Sequence, residues 1–349
     1  GTWLDNNDIP AERTSYGMGL IVHERAEQRV RDIIEELGET QSPTGTPEQK
    51  VGDFYASWMD TETVNALGIT PLQPDIDRIK AIDDIAGLTI EFGQQYYING
   101  ASPFTGWLGI NPSNPDEYNI NIGLSGLGLP DRDYYLEDSE RFLKIREAYL
   151  KHIAEMLSFA GINDSEQAGA ILGLETEIAS YQWVRSKRRD RDKTFNPMAV
   201  ANLSEKYPRF NWDSFLTSAG IKNLAEVNIR HPDLILPLIE LIHSVPLSTW
   251  KSYLLYHMVS NNGSYLSDEI DSANFSFWGK VVNGLEQPLE RWKRGVSRVG
   301  AKTGLGEAIG QIYVKRHFSE SSKEQMEVLV ENLRKAYGER IDHITWMSD

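Results

Sequence analysis

Between residues 139 and 160 the large apolar side chains fall at Phe142, Ile145, Tyr149, Ile153 and Met156, with Ala160 closing the series. Steps of three and four residues place them on one stripe of an amphipathic α-helix. Asp138 is positioned to cap its start and Gly161 to end it. The same period returns over 165–182 with Ala168, Ile171, Ile178 and Tyr181, and over 322–341 with Met326, Leu329, Leu333, Tyr337 and Ile341. Further helices are expected over 16–37, stopping at Gly38, and over 232–243 and 248–260. The chain is therefore expected to be mainly α.

One stretch breaks this period. Tyr118, Ile120, Ile122 and Leu124 alternate with polar or small residues, as in a half-buried strand. Phe104–Ile110 can pair with it, and the NPSNPDE between them is rich in turn formers. A small β-hairpin near 104–124 is thus expected inside a helical protein. Thr40–Glu48 (TQSPTGTPE) is the most linker-like segment, and no internal repeat is visible.

The 349 residues are 40% hydrophobic and 25% charged, enough apolar material for a sizeable core. The net charge of −16 argues against a nucleic-acid partner, because a phosphate backbone requires a basic face. No apolar run approaches the length of a membrane span. The chain has no cysteine, which excludes disulfides, thiolate metal sites and cysteine nucleophiles.

Four stretches invite a chemical reading. HERAE (23–27) is one letter short of the zinc motif HExxH, in which two histidines on one helix face hold the metal. His23, Glu24 and Glu27 lie in a run dense with both signs of charge, so a solvated helix surface is the preferred reading. His152, His231, His243, His257, His317 and His343 are scattered, and His257, among the apolar residues of YLLYHMV, reads as a core or groove residue. GLSGLGLP lacks the lysine of a phosphate-binding loop, and no GxSxG elbow is present. Arg185–Lys193 (RSKRRDRDK) carries six positive and two negative residues. It reads either as an anion site or, preferably, as a helix end followed by a salt-bridged loop. Residue by residue, no self-sufficient active site emerges.

SGLGLPDRDYYL (125–136) is more specific than a glycine loop. It resembles a signature of the neprilysin-like zinc metallopeptidases, the family that includes endothelin-converting enzyme. Other segments match that family in order: GTWLDNNDIP at the start, VGDFYASWMD (51–60), PLQPDIDRIKAI, RRDRDKTFNPM (188–198), GEAIGQIYVKRHF and RIDHITWMSD. In SGLGLPDRDYYL itself the glycines permit a tight turn out of the strand, and Tyr134 and Tyr135 bring apolar area with polar tips. Its role is read as structural rather than catalytic.

The resemblance implies a multi-helix cap lobe with a small β-hairpin, part of a two-lobed zinc endopeptidase acting on small peptides in a closed chamber. It implies an N-terminal segment over 1–40 associated with the catalytic lobe, a cap lobe over 41–300, and helices over 301–349 leading toward the catalytic lobe. In the family an HExxH helix and a later glutamate, both in the C-terminal half, bind zinc. Catalytic and metal residues are accordingly expected outside this chain, with no substrate-binding residue assigned within it. The implied partners are the C-terminal catalytic portion and peptide substrates, and the implied location is periplasmic or extracellular. Some members carry an arginine before the YG of the N-terminal segment that binds a substrate carboxylate; here that position is Ser15, and Arg13 does not match it. The other reading is a non-catalytic binding or scaffold protein that kept the cap and lost the enzyme.

Overall fold

The stripe at 142–160 becomes the helix Glu140–Phe159, with Ile145, Tyr149, Ile153 and Met156 buried along it. Its start differs from expectation. Ser139, not Asp138, is the cap, its hydroxyl accepting the Phe142 N–H at 3.2 Å, because the residue directly before the first helical one reaches the free N–H groups. Asp138 instead takes the Arg146 guanidinium at 2.6 Å. Gly161 ends the helix as expected: its φ is +75°, and the Ile162 N–H returns to the Leu157 carbonyl at 3.0 Å. This computed structural model describes residues 8–40, 42–301 and 304–346. The first seven residues of GTWLDNNDIP and the last three of RIDHITWMSD lie outside the described residues.

The other expected helices appear as Ser165–Tyr181, Ile235–Ser244, Leu247–Asn262 and Glu320–Ile341. The first helix runs Met18–Glu39 and passes through Gly38 rather than stopping there. Extended backbone at Thr40 ends it, and the Thr40 hydroxyl donates to the Glu36 carbonyl at 2.8 Å.

The described residues form two compact units, one holding those up to Asp60 and from Pro288 onward, the other Thr61–Gln287. In the first unit, Ile33, Ile34 and Leu37 of the first helix pack with Val51 and Tyr55 of Pro47–Met59. Val296 and Val299 of Arg291–Val299, and Ile309 and Ile312 of Gly306–His317, complete that core. The linker-like stretch ends in a helix start, where the Thr46 hydroxyl accepts the Gln49 N–H at 3.2 Å and Pro47 follows. The helix Glu320–Ile341 has no buried residue at all; Met326, Leu329 and Leu333 are each 49% exposed, and Tyr337 65%.

The second unit is built around Leu247–Asn262, which buries residues on every face, from Trp250 and Tyr253 to His257 and Ser260. It packs against Glu140–Phe159 and Ser165–Tyr181. The expected hairpin is present, with β1 (Phe104–Asn111) antiparallel to β2 (Asn114–Leu124) and register from Phe104↔Leu124 to Ile110↔Tyr118. It is, however, part of a four-stranded mixed sheet of order β1-β2-β4-β3. β3 is Pro197–Ala199, and β4 (Glu226–Ile229) runs parallel to β2. Strands of three and four residues are too short to show alternation, so they left no pattern in the sequence. They also change which side chains of β2 are buried. Asn119 and Asn121 lie inside, where the Asn228 amide donates to Asn121 Oδ1 at 2.7 Å, whereas Tyr118 is 70% exposed.

Candidate functional site

The segment Ser125–Leu136 leaves β2 through a loop that the surrounding side chains define closely. Gly126 has φ +91°, a backbone conformation that side-chain-bearing residues rarely adopt. At Gly128 an added Cβ would fall 1.8 Å from the Tyr149 hydroxyl. The loop is tied down by the Tyr253 hydroxyl, which donates to the Gly126 carbonyl at 3.1 Å, and by the Leu129 N–H, which donates to the Tyr135 hydroxyl at 2.7 Å. Tyr135 in turn donates to Glu175 Oε2 at 2.5 Å, and Tyr149 donates to the same oxygen at 2.9 Å. His257 Nε2 lies 2.7 Å from Glu175 Oε1. Glu175 is fully buried, so this carboxyl is compensated by hydrogen bonds rather than by water. Burial, then the charge of Glu175, raises the Tyr135 and Tyr149 phenols well above their ordinary range, which keeps both protonated as donors.

Beside this hub lies a cavity of about 320 Å³, lined by Gly126, Gly128, Gln95, Tyr256, His257 and Ser260 among others. His152 sits deeper, stacked on Phe277 at 4.7 Å with Nε2 3.1 Å from Ser260 Oγ. Burial, with a contribution from His257, pushes its pKa down to about 3.

Asp131 of the same segment joins it to the basic run. Its carboxylate accepts Arg185 Nε and Arg188 Nη2, each at 2.8 Å. Burial pushes the Asp131 carboxyl up, but the two guanidiniums outweigh it and hold the carboxyl below its ordinary value. The run is not the end of the preceding long helix. It forms two single turns, Arg185–Arg188 and Arg191–Thr194, with Lys193 on Asp190 at 2.8 Å and Lys187 on Asp233 at 3.3 Å. Its cations are thus largely matched to carboxylates of this chain.

HERAE lies on the first helix. His23 Nε2 and Glu27 Oε1 are 3.3 Å apart, His23 is 60% exposed, and Arg13 faces Glu24 and Glu27 at 3.7 and 4.0 Å. Arg13 is therefore engaged within the segment, and Ser15 beside it is exposed. His243 and His343 each meet a backbone carbonyl, and His317 lies against Tyr313. Among the described residues no group of three or more His, Asp or Glu could hold a metal ion. The described residues therefore do not fit a zinc site.

Sequence reasoning missed Glu175. The signal was present: Ile171, Glu175 and Ile178 share one face at steps of four and three, so an acid interrupts an apolar stripe.

Residues 1–349, the entire chain, match the profile of peptidase family M13. Endothelin-converting enzyme-like 1 of Mus musculus is 26% identical over 370 residues, covering 99% of this chain and 46% of that protein. Endothelin-converting enzyme 1 of Homo sapiens is 25% identical over 368 residues, covering 100% of this chain and 46% of that protein. The crystal structure of the Mycobacterium tuberculosis zinc metalloprotease ZMP1 with an inhibitor superposes with a TM-score of 0.91 at 31% identity, over 99% of this chain and 52% of that one. The chain spans about half the length of the relatives it matches. The resemblance read from SGLGLPDRDYYL and its companion segments is borne out, and so is the mainly helical fold. Matched by the profile from its first residue to its last, the chain belongs to peptidase family M13.

Proposed function

We propose that this chain is the N-terminal part of a zinc-dependent endopeptidase that hydrolyses peptide bonds in small peptides enclosed in a chamber, with the zinc ligands in a C-terminal part. The observation that carries the reading is the match over 99% of this chain, at 31% identity, to a zinc metalloprotease of which it spans 52%. In this reading the unit Thr61–Gln287 supplies most of the cap, and the first and last stretches of the chain go with the catalytic lobe. Zinc held by residues of the C-terminal part would supply the Lewis acid for the scissile carbonyl and for the attacking water. This chain walls the chamber, which admits short peptides and excludes folded proteins. The exposed apolar stripe of Glu320–Ile341 fits a seat for the C-terminal part, because soluble proteins rarely leave so long an apolar face uncovered. The reading carries with it a periplasmic or extracellular location.

The test is reconstitution. The chain and the C-terminal portion of the same protein, prepared separately, are expected to co-elute on mixing. Endopeptidase activity on a quenched fluorescent peptide is expected only in the mixture, to be lost on chelation and restored by zinc. Elemental analysis is expected to find stoichiometric zinc in the complex and none in this chain alone. A chain that stays a well-behaved monomer and ignores the C-terminal portion would instead support the scaffold reading.

A further inference from the structure

On the second unit a pocket of about 250 Å³ opens between two indoles, Trp107 and Trp183, with Leu124, Arg188, Arg230 and His231 on its other walls. The backbone sets these positions. The Arg230 N–H continues the pairing of β4 with β2 by donating to the Ile122 carbonyl at 2.9 Å, so the guanidinium springs from a fixed point. Trp107 lies over Gly123, where an added Cβ would come within 3.1 Å of the indole ring. Arg230 sits over Trp107, 5.4 Å from the ring centroid. His231 packs edge-on against Trp183 at 5.0 Å. Burial first, and then Arg230 and Arg188, push the His231 pKa down to about 4, so the imidazole is neutral near pH 7 and adds no charge.

The charges at this edge do not balance. Arg185 and Arg188 share Asp131, and Lys187 is matched to Asp233, whose carboxylate also accepts Trp183 Nε1 at 3.1 Å. Arg230 has no carboxylate partner among the described residues, although it is partly buried and burial lowers its pKa. A partly desolvated guanidinium with no carboxylate beside it is suited to a ligand carboxylate. The pocket is slightly below the range of about 300–1,000 Å³ usual for whole small-molecule ligands, and so fits one side chain or one chain end. A polyphosphate is disfavoured by the chain's overall net charge of −16. An extended peptide is favoured by the neighbouring β1, an edge strand that exposes Leu108 and Ile110.

We infer that this pocket is a subsite for a carboxylate of a bound peptide, with Arg230 as its counter-charge and the Trp107 and Trp183 indoles as its walls. The carboxylate is either an Asp or Glu side chain or the free C-terminus. The inference rests on the reading of the protein as a peptide-handling enzyme, but its test reads binding and uses no catalysis.

Fluorescence anisotropy of labelled short peptides in three matched forms tests it on the full chain: one internal Glu with an amidated end, Gln with a free acid end, and Gln with an amidated end. At least one acidic form is expected to bind roughly five- to tenfold more tightly than the neutral one, and which form does so identifies the source. Arg230→Gln is expected to bring that ratio to about one, and Arg230→Lys to restore part of it. Trp107→Ala, at a residue 41% exposed, is expected to weaken all three peptides without disturbing the fold, and thermal melting checks that every variant is folded. Lys151→Gln, a surface cation remote in sequence and 76% exposed, is expected to leave the ratio unchanged. Equal binding of all three peptides by the unmodified protein, or an undiminished ratio in folded Arg230→Gln, overturns the inference. Either result leaves the reconstitution experiment to judge the peptidase reading separately.

Discussion

Glu175 shows how one residue organises the loop that carries the family's most specific segment. Its oxygens receive Tyr135 and Tyr149 and face His257, all inside the unit. Glu175→Gln replaces one acceptor oxygen with a donor that faces other donors. The expected loss is about 2–4 kcal/mol, read as a lower urea midpoint with an unchanged slope. Gly128→Ala, which must displace the Tyr149 hydroxyl, is expected to be destabilising in the same assay. The buried histidines predict a pH dependence. In the folded protein His152 and His231 titrate at about 3 and about 4, below the ordinary 6.5. Below pH 6.5 the unfolded chain therefore binds more protons than the folded one, and protonation favours unfolding. Their contribution is present in full above pH 6.5 and falls away down to about pH 4 for His231 and about pH 3 for His152, with about 2–3 kcal/mol lost at His152 by pH 4.5. Urea midpoints across that window are expected to fall, and to fall less steeply in His152→Gln.

At the scale of elements, the helix Glu320–Ile341 and the sheet make opposite points. The helix forms over its expected span from its period and the Ser319 cap alone, yet buries nothing among the described residues. Leu329→Asp with Leu333→Asp is accordingly expected to leave helicity and thermal midpoint nearly unchanged. If the helix seats the C-terminal part, covering the exposed half of the two leucines is worth about 1.5–3 kcal/mol, and the double variant is expected to weaken co-elution at least tenfold. A helix face that tolerates both aspartates without loss of association would remove it from the interface. In the sheet, by contrast, the period of β2 pointed to one buried face, but β4 lies beside it and buries Asn119 and Asn121 as well. Propensity and alternation were right about the strand and silent about its neighbour.

For the whole molecule, much was legible in the linear order of residues. Helical stripes, caps and stops rest on contacts three or four residues apart, so 139–160, 165–182 and 322–341 could be located without a structure. The glycines of SGLGLPDRDYYL announced a turn, and the order of the matching segments identified the family. The sequence by itself thus determined the helical class, the hairpin and the kinship with the M13 peptidases. Tertiary structure alone decided the rest: which acid lies among Tyr135, Tyr149 and His257, that Asp131 is claimed by Arg185 and Arg188, and that Arg230, between Trp107 and Trp183, has no carboxylate partner among the described residues. Those pairings join residues far apart in the chain, and burial, which sets the strength of each charge interaction, depends on how whole elements pack and not on local spacing.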